Sequence, residues 1–399
     1  MRPDARAQSA IEILDIWLSS EQDLDRILTD WGRRSRYAGS GDRRAIADLV
    51  YNATRRMRSS AWIAGSDDVT VSGRALIHGN LIQAGLETSG VFTGERHAPA
   101  PLSETEIAAQ RSLESAPRLV RTDMPEWLAP WVATLSDADL LALRDRASVD
   151  LRVNSLKTDL AAARQSLATD GIITEPLPGI VNALRVRDGA HRVHLSAAYL
   201  GGLVEIQDAG SQQLALLAKA RPGERILDLC AGGGGKALAM AAAAAGGRAI
   251  IHAYDVSSAR LEALPARAKR AGASIEIIDR KTLEKSYGTY DVVFVDAPCS
   301  GSGAWRRNPD AKWRLTEARL QSLIAVQSEL LEQARELLQP EGRIIYGTCS
   351  ILDGENASQI DQFLKRHPTW SLVDQLHLLP SSGTDGFFGA LLSQVVDSR

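Results

Sequence analysis

Apolar residues keep two different rhythms along this chain. In the stretch AQSAIEILDIWLSSEQDLDRILTDW they fall at Ile11, Ile13, Leu14, Trp17 and Leu18, then at Leu24, Ile27 and Leu28. That spacing is close to the helical period, and no long β-branched run competes with it, so it predicts helices. Gly41 and Asp42 punctuate the pattern before a second helical stretch, DRRAIADLVYNATRRMRSSAWIAG. Its apolar face is Ile46, Leu49, Val50 and Met57; Arg43, Arg44, Arg55, Arg56 and Arg58 occupy the polar side. Residues 89–101 (SGVFTGERHAPAP) have no period and are rich in Gly and Pro, which marks them as a linker. A further helical stretch follows, with Pro125 at a first turn.

From about residue 147 the rhythm shortens. DLRVNSLKTDLAAARQSLATDGI reads as strand, helix and turn, and glycine-broken strands follow up to residue 206, which together make a small α+β unit. From Arg225 onward, short apolar runs (RILDLC, AIIHAYD, SIEIID, YDVVFVD, GRIIYGT) alternate with helical stretches. Such alternation predicts βαβ units and a parallel, doubly wound α/β sheet. The expected organisation is therefore a helical domain over 1–140, the α+β unit over 147–206 and the α/β domain over 207–399.

Composition narrows the class. Of 399 residues, 44% are hydrophobic and 24% charged, which excludes a largely disordered chain. Three cysteines exclude a disulfide scaffold and suit a reducing compartment. The N-terminus lacks the continuous apolar core of a signal peptide, and the Ala/Gly-rich run at 237–247 is too short to span a bilayer. A soluble cytoplasmic protein with no membrane partner is expected. The net charge of -3 offers no general attraction for nucleic acid, so any such affinity must be local. Arginine outnumbers lysine by 38 to 8, which fits phosphate contacts or a GC-rich codon bias equally well. Residues 1–60 hold eleven Arg against nine Asp and Glu, a slight excess that suits either a solvated helix face or an RNA surface.

Candidate chemistry concentrates at strand ends. RILDLCAGGGGKALAMAAAA reads as a strand, a glycine turn and a helix. Gly232, Gly233, Gly234 and Gly235 let the backbone approach a ligand and offer amide donors to it. The loop is not a phosphate-binding Walker loop, because Lys236 is not followed by Ser or Thr. Asp255, Asp279 and Asp296 end the second, third and fourth strands, and Asp228 belongs to the first. Each could cap a helix or form a turn. Together they point to the crevice where doubly wound sheets bind ligands. S-adenosylmethionine explains the set better than a nicotinamide cofactor.

Two further motifs leave neighbouring strands: Asp296-Ala297-Pro298-Cys299-Ser300-Gly301 and Gly347-Thr348-Cys349-Ser350. Parallel strands lie about 5 Å apart, so Cys299 and Cys349 should open onto one pocket. Cys230 reads as a small buried hydrophobe beside the glycine loop. No CxxC or His-rich spacing accompanies them, so no metal is expected. Thiols have a specific use in methyl transfer. Carbon 5 of a pyrimidine is not nucleophilic until a thiolate adds to carbon 6, and a carboxyl near ring nitrogen 3 relieves the developing charge.

With these residues assembled, the set AGGGGK, DAPCSGSG followed by RRNPDAKWR, and GTCS resembles the RNA 5-methylcytosine methyltransferases of the RsmB/Nop/Sun type. RVNSLK, EIQDAGSQ and the closing DGFFGALL resemble further segments of that family, over about residues 147–396. SGDRRAIADLVYNATRRM resembles the NusB-like domain of the bacterial 16S rRNA members. The resemblance implies a class I methyltransferase domain behind a small RNA-binding subdomain, acting on RNA, in particular 16S rRNA, as a monomer with S-adenosylmethionine. It implies Cys349 as nucleophile, Cys299 in release of the product, Asp296 at the cytosine and Lys236 beside it. The cofactor would be held by Cys230, Ala231, the four glycines, Lys236, Asp255, Asp279 and Asp296. RNA would be met by Arg152, Asn154, Arg306, Arg307, Asn308, Lys312, Trp313 and Arg314. From Cys299 to Leu320 the local charge is +3. One departure stands out: Gly233 occupies the place of the family's usual proline in CAAPGGK, which implies a looser loop. The competing expectations are a tRNA methyltransferase of the same chemistry, a non-catalytic RNA-binding assembly factor and a Rossmann oxidoreductase; the last leaves the paired cysteines unexplained.

Overall fold

The computed structural model describes residues 1–66, 71–244 and 249–395, so the end of the Ala/Gly run and of the 147–396 segment lie outside the described residues. The chain divides into two compact units. One comprises residues 1–146 together with 305–315; the other comprises 147–304 and 316–399. The α+β segment thus belongs to the second unit, and an eleven-residue piece near the cysteine motif belongs to the first.

The first unit is built on helices Pro3–Ser19, Leu24–Arg34, Ser40–Arg55, Met57–Ile63 and Gly73–Gln83. The helical spacing has its expected consequence, because Ile13, Leu14, Trp17, Leu24, Ile27, Ile46 and Val50 form one core. Full burial of each such aliphatic chain contributes about 1.5–3 kcal/mol. Gly41 does not separate elements: the helix starts at Ser40, with Gly39 in extended backbone before it. The expected linker is also part of the fold. Phe92 is buried in the helical core, and Arg74 stacks on its ring while donating to the Ala100 carbonyl. A single apolar residue in a polar loop is enough to pin it, and period-based reading has no way to weigh one residue.

The second unit carries two sheets. The smaller contains β1 (Asp150–Val153), β2 (Ile173–Pro176), β3 (Ala183–Asp188) and β4 (Val204–Ile206), in the order β2-β3-β1-β4. The larger contains β5 (Arg225–Asp228), β6 (Ile250–Ala253), β7 (Ile275–Ile277), β8 (Tyr290–Asp296), β9 (Leu338–Thr348), β10 (Trp370–Leu378) and β11 (Phe387–Gln394). Its order is β10-β11-β9-β8-β5-β6-β7. Strands β5 to β9 pair in parallel, as the βαβ alternation requires, and β11 runs antiparallel to both its neighbours. The central strand β8 is covered on both faces, which is why it reads as a continuous apolar run. The order reverses at β5 and β8, so the carboxyl ends of these strands border the crevice.

Candidate active site

Strand register brings the two cysteines together. Asp296 at the end of β8 pairs with Gly347 near the end of β9. Cys299 follows three residues after the first and Cys349 two residues after the second, and the Gly303 amide donates to the Cys349 carbonyl at 3.0 Å. The thiols stand 3.4 Å apart, sulfur to sulfur. The Cys299 thiol is held well above its ordinary value, first by its hydrogen bond to Cys349, then by burial and by the charges of Cys349 and Glu355. Each sulfur is within hydrogen-bond reach of the other.

Lys236 begins the helix after the glycine loop and reaches Asp296, Nζ to Oδ2, at 2.6 Å. Burial works against its charge. Burial is the largest single influence, but Asp296, Cys349 and Asp228 together outweigh it, and the ammonium is held above its usual range. A cation thus lies near the Cys349 sulfur. Asp228, fully buried at the end of β5, is pushed up to about 7 by burial and then by the neighbouring Asp296 carboxylate. The Cys230 thiol is pushed far up, by burial first and then by Asp228, Asp296 and Asp255. It lines the crevice as an inert neutral thiol.

The glycine loop is fastened from three sides. Gly232 (φ +51°) and Gly234 (φ +77°) occupy left-handed backbone that other residues adopt only under strain. Asp255 accepts the Gly232 amide at 3.0 Å and the Ser257 amide at 2.9 Å, which ties the loop to the end of β6. Arg267 donates to the Gly233 carbonyl and, at 3.0 Å, to Glu205 at the middle of β4. Glu205 is itself buried and also receives Arg270. The loop, the cysteines, Lys236, Asp255 and Asp296 all line one cavity of about 1020 Å³.

Comparison with known proteins places this cavity in a family. A family model described as 16S rRNA methyltransferase RsmB/F matches residues 215–392. The ribosomal RNA small subunit methyltransferase B of Yersinia pseudotuberculosis serotype O:1b is 32% identical over 301 residues, covering 70% of this chain and 70% of that protein. The chain belongs to the RsmB/F methyltransferase family. A protein of the same description from Photorhabdus laumondii is 34% identical, covering 61% of this chain, and a probable one from Synechocystis is 31% identical, covering 62%. The chain spans 59% and 57% of the length of those two relatives. The crystal structure of PH0851 shares the fold at a TM-score of 0.76, with 22% identity over 99% of both chains. A methyltransferase homologue from Pyrococcus horikoshii does so at 0.61, with 23% identity over 70% of this chain and 98% of that one.

Within this family member, several residues singled out in the sequence sit elsewhere. Asp279 is exposed, caps helix Arg280–Glu284 by accepting the Thr282 amide, and does not line the cavity. The residues after it, Arg280, Leu283 and Glu284, line it instead. Arg152 and Asn154 are buried. Arg152 donates to Gln207 at 2.7 Å, and Asn154 ties the carbonyls of Gly202 and Ala271 at 2.9 and 2.8 Å. RVNSLK and EIQDAGSQ thus brace the glycine-loop side of the unit from within and leave these two side chains no free RNA face. In the segment 305–315, Lys312 is buried with its ammonium on the Arg55 carbonyl, and the buried Asp123 offsets part of its burial. Trp313 donates to the Thr54 carbonyl, and Arg314 is shared between Asp310 and the Ser20 carbonyl. Arg306 is buried, and its carbonyl receives Arg55. Only Arg307 and Asn308 of that predicted RNA set are exposed. Sequence reading missed Arg267 and Glu205, and it missed Glu355 and Gln327, which meet residues flanking the cysteines. Their one signal was the unexplained charge of EIQDAGSQ.

Proposed function

We propose that the chain methylates carbon 5 of a cytosine in 16S rRNA through a covalent bond between Cys349 and carbon 6. The observation that carries this is the pair of thiols 3.4 Å apart beside the Lys236–Asp296 pair, in one cavity. S-adenosylmethionine is the methyl donor, and when bound it supplies the methyl group from a sulfonium. The residues present suit it. The space where a Gly232 β-carbon would stand is open to at least 4 Å, and Asp255 keeps lone pairs beyond the two amides it accepts, for hydroxyl donors.

The remaining work falls to side chains of this chain. Cys349, next to the Lys236 ammonium, adds to carbon 6 as the thiolate, and the ring's electron pair moves toward carbon 5 and nitrogen 3. Asp296 relays a proton from the Lys236 ammonium to nitrogen 3 as negative charge builds there, and takes it back when the ring is restored. Methylated carbon 5 then carries one hydrogen too many. Bonding Cys349 to carbon 6 removes the hydrogen bond and the charge that oppose ionisation of Cys299, so the Cys299 thiol can lose its proton to solvent in the cavity. The Cys299 thiolate takes the hydrogen from carbon 5, the carbon 5–carbon 6 double bond returns, and the Cys349 sulfur leaves with its electron pair.

The test uses purified protein and rRNA lacking the modification. Cys349→Ala is expected to lose methyl transfer by about 10³-fold or more while binding S-adenosylmethionine normally. Transfer retained by that variant overturns the mechanism. Bisulfite sequencing of the product identifies the cytosine, and a product methylated elsewhere overturns the carbon 5 assignment.

A further inference from the structure

Behind the two cysteines lies a buried carboxylate that the chemistry above does not use. Glu355 is 0% exposed. Four donors converge on its two oxygens: the Ser300 amide at 2.8 Å, the Ser300 hydroxyl and the Ser350 hydroxyl at 2.5 Å each, and Gln327 Nε2 at 3.0 Å. All four are neutral. An ionised carboxylate has about four lone-pair sites, and four donors meet them here. A charge buried among neutral dipoles is costly to keep unless its shell is complete.

The identity of the donors gives the arrangement its meaning. Ser300 follows Cys299 and Ser350 follows Cys349. Gln327 also donates to the carbonyl of Pro298, the residue before Cys299, at 3.0 Å. Asn356, next to Glu355, accepts from Thr348, the residue before Cys349, at 2.6 Å. One side chain and its immediate neighbours therefore grip both loops on both sides of each thiol. The serine hydroxyls are themselves fixed, since the Ser302 amide donates to Ser300 and the Leu352 amide to Ser350.

We propose that Glu355 is the positioning residue of the thiol pair, holding the two cysteine loops in register through Ser300 and Ser350. The proposal rests on the thiol mechanism above only for its catalytic consequence; the positioning itself is a property of the free protein. Glu355 also faces Cys299 electrostatically, as do Cys349 and Tyr346, while Lys236 faces Cys349. Removing the Glu355 charge should therefore ease deprotonation of Cys299.

The variants are Glu355→Gln, which keeps the volume but turns an amide donor toward donors, and Glu355→Asp, which keeps the charge one methylene short. Alkylation of each cysteine by iodoacetamide is followed across pH by mass spectrometry in the full chain. Glu355→Gln should move the Cys299 profile to lower pH and change the ratio of Cys349 to Cys299 alkylation by about tenfold. Its kcat should fall by about 100-fold with KM for S-adenosylmethionine nearly unchanged, as expected for misplaced reacting groups, and Glu355→Asp should recover part of both. If Glu355→Gln fails to fold, Ser300→Ala and Ser350→Ala each delete one grip while keeping the Glu355 charge, and each should change the alkylation ratio through the loop it releases. An alkylation ratio and profile equal to the unsubstituted protein in the folded variants overturns the proposal. Alkylation needs no methyl transfer, so this result is separate from the Cys349→Ala test, whose failure would strike the mechanism alone.

Discussion

Cys299 and Cys349 differ in what surrounds them more than in what they are. The Cys299 thiol is held above its ordinary value by its hydrogen bond to Cys349, by burial and by the charges of Cys349 and Glu355. On the proposed mechanism, substituting Cys299 with alanine removes the group that takes the carbon 5 hydrogen and leaves the nucleophile in place. Cys299→Ala is thus expected to accumulate a protein–RNA adduct that survives denaturing gel electrophoresis and depends on Cys349; no RNA-dependent band would count against the release step. At this scale the sequence foretold a juxtaposition: two cysteines, a lysine and an aspartate from separate strand ends meet in one cavity. It was not readable at Asp279, because an aspartate after a strand serves equally well as a helix cap, and its side chain accepts the Thr282 amide at 2.8 Å. Nor was it readable at Glu355, whose partners lie up to 55 positions away in the chain.

Elements show the same division between local and distant causes. The alternation of β-rich runs and helices is local, and it leads directly to the parallel core β5–β9. The fastening of the glycine loop is not local, since Arg267 bridges Gly233 to Glu205 across two other elements. An added β-carbon at Gly233 would stand 3.0 Å from the Arg267 guanidinium, so the arginine occupies the side of the loop that a proline ring would need. Arg267→Ala should therefore weaken S-adenosylmethionine binding by about tenfold in calorimetry, the worth of one charge-assisted hydrogen bond. Arg267→Lys, without the fork, should not fully restore it. The 305–315 segment illustrates the converse. Its charge of basic residues suggested an RNA path, but segment charge does not say which side chains point inward. Lys312 is lowered to about 8 by burial, with Asp123 opposing the shift. Lys312→Ala should cost about 1–3 kcal/mol in urea unfolding, because it leaves the Arg55 carbonyl without its donor and removes one of the charges facing Asp123, which keeps its Arg144 pair. The salt dependence of RNA binding should be unchanged, which a filter assay at several ionic strengths checks.

For the molecule as a whole, Asp228 gives stability a pH dependence of definite sign. Its carboxyl rises from an ordinary 3.8 to about 7 in the folded protein. Between those values the folded state holds a proton that the unfolded state has lost, so this contribution is complete below pH 3.8, declines as pH rises and is gone above about 7. The shift corresponds to at most about 4 kcal/mol. Asp228→Asn should flatten the fall in unfolding free energy between pH 5 and 8 measured by urea titration; an unchanged slope would assign it to other groups. Domain organisation was the least legible property. The helical, α+β and α/β stretches were separable by rhythm, but no rhythm announces that residues 305–315 belong with residues 1–146. That membership has a consequence for inheritance. The polypeptide passes from one unit to the other three times, at 146, 304 and 315, so the helical unit is not a leading module that recombination can remove with a single cut. A gene shortened to begin at residue 147 would still encode Trp305 and Trp313, and Trp313 would be translated without the helical core it packs against. The excursion begins two residues after Gly303, at the end of the very motif that carries Cys299, so in this chain the segment that joins the helical unit starts where the cysteine motif stops.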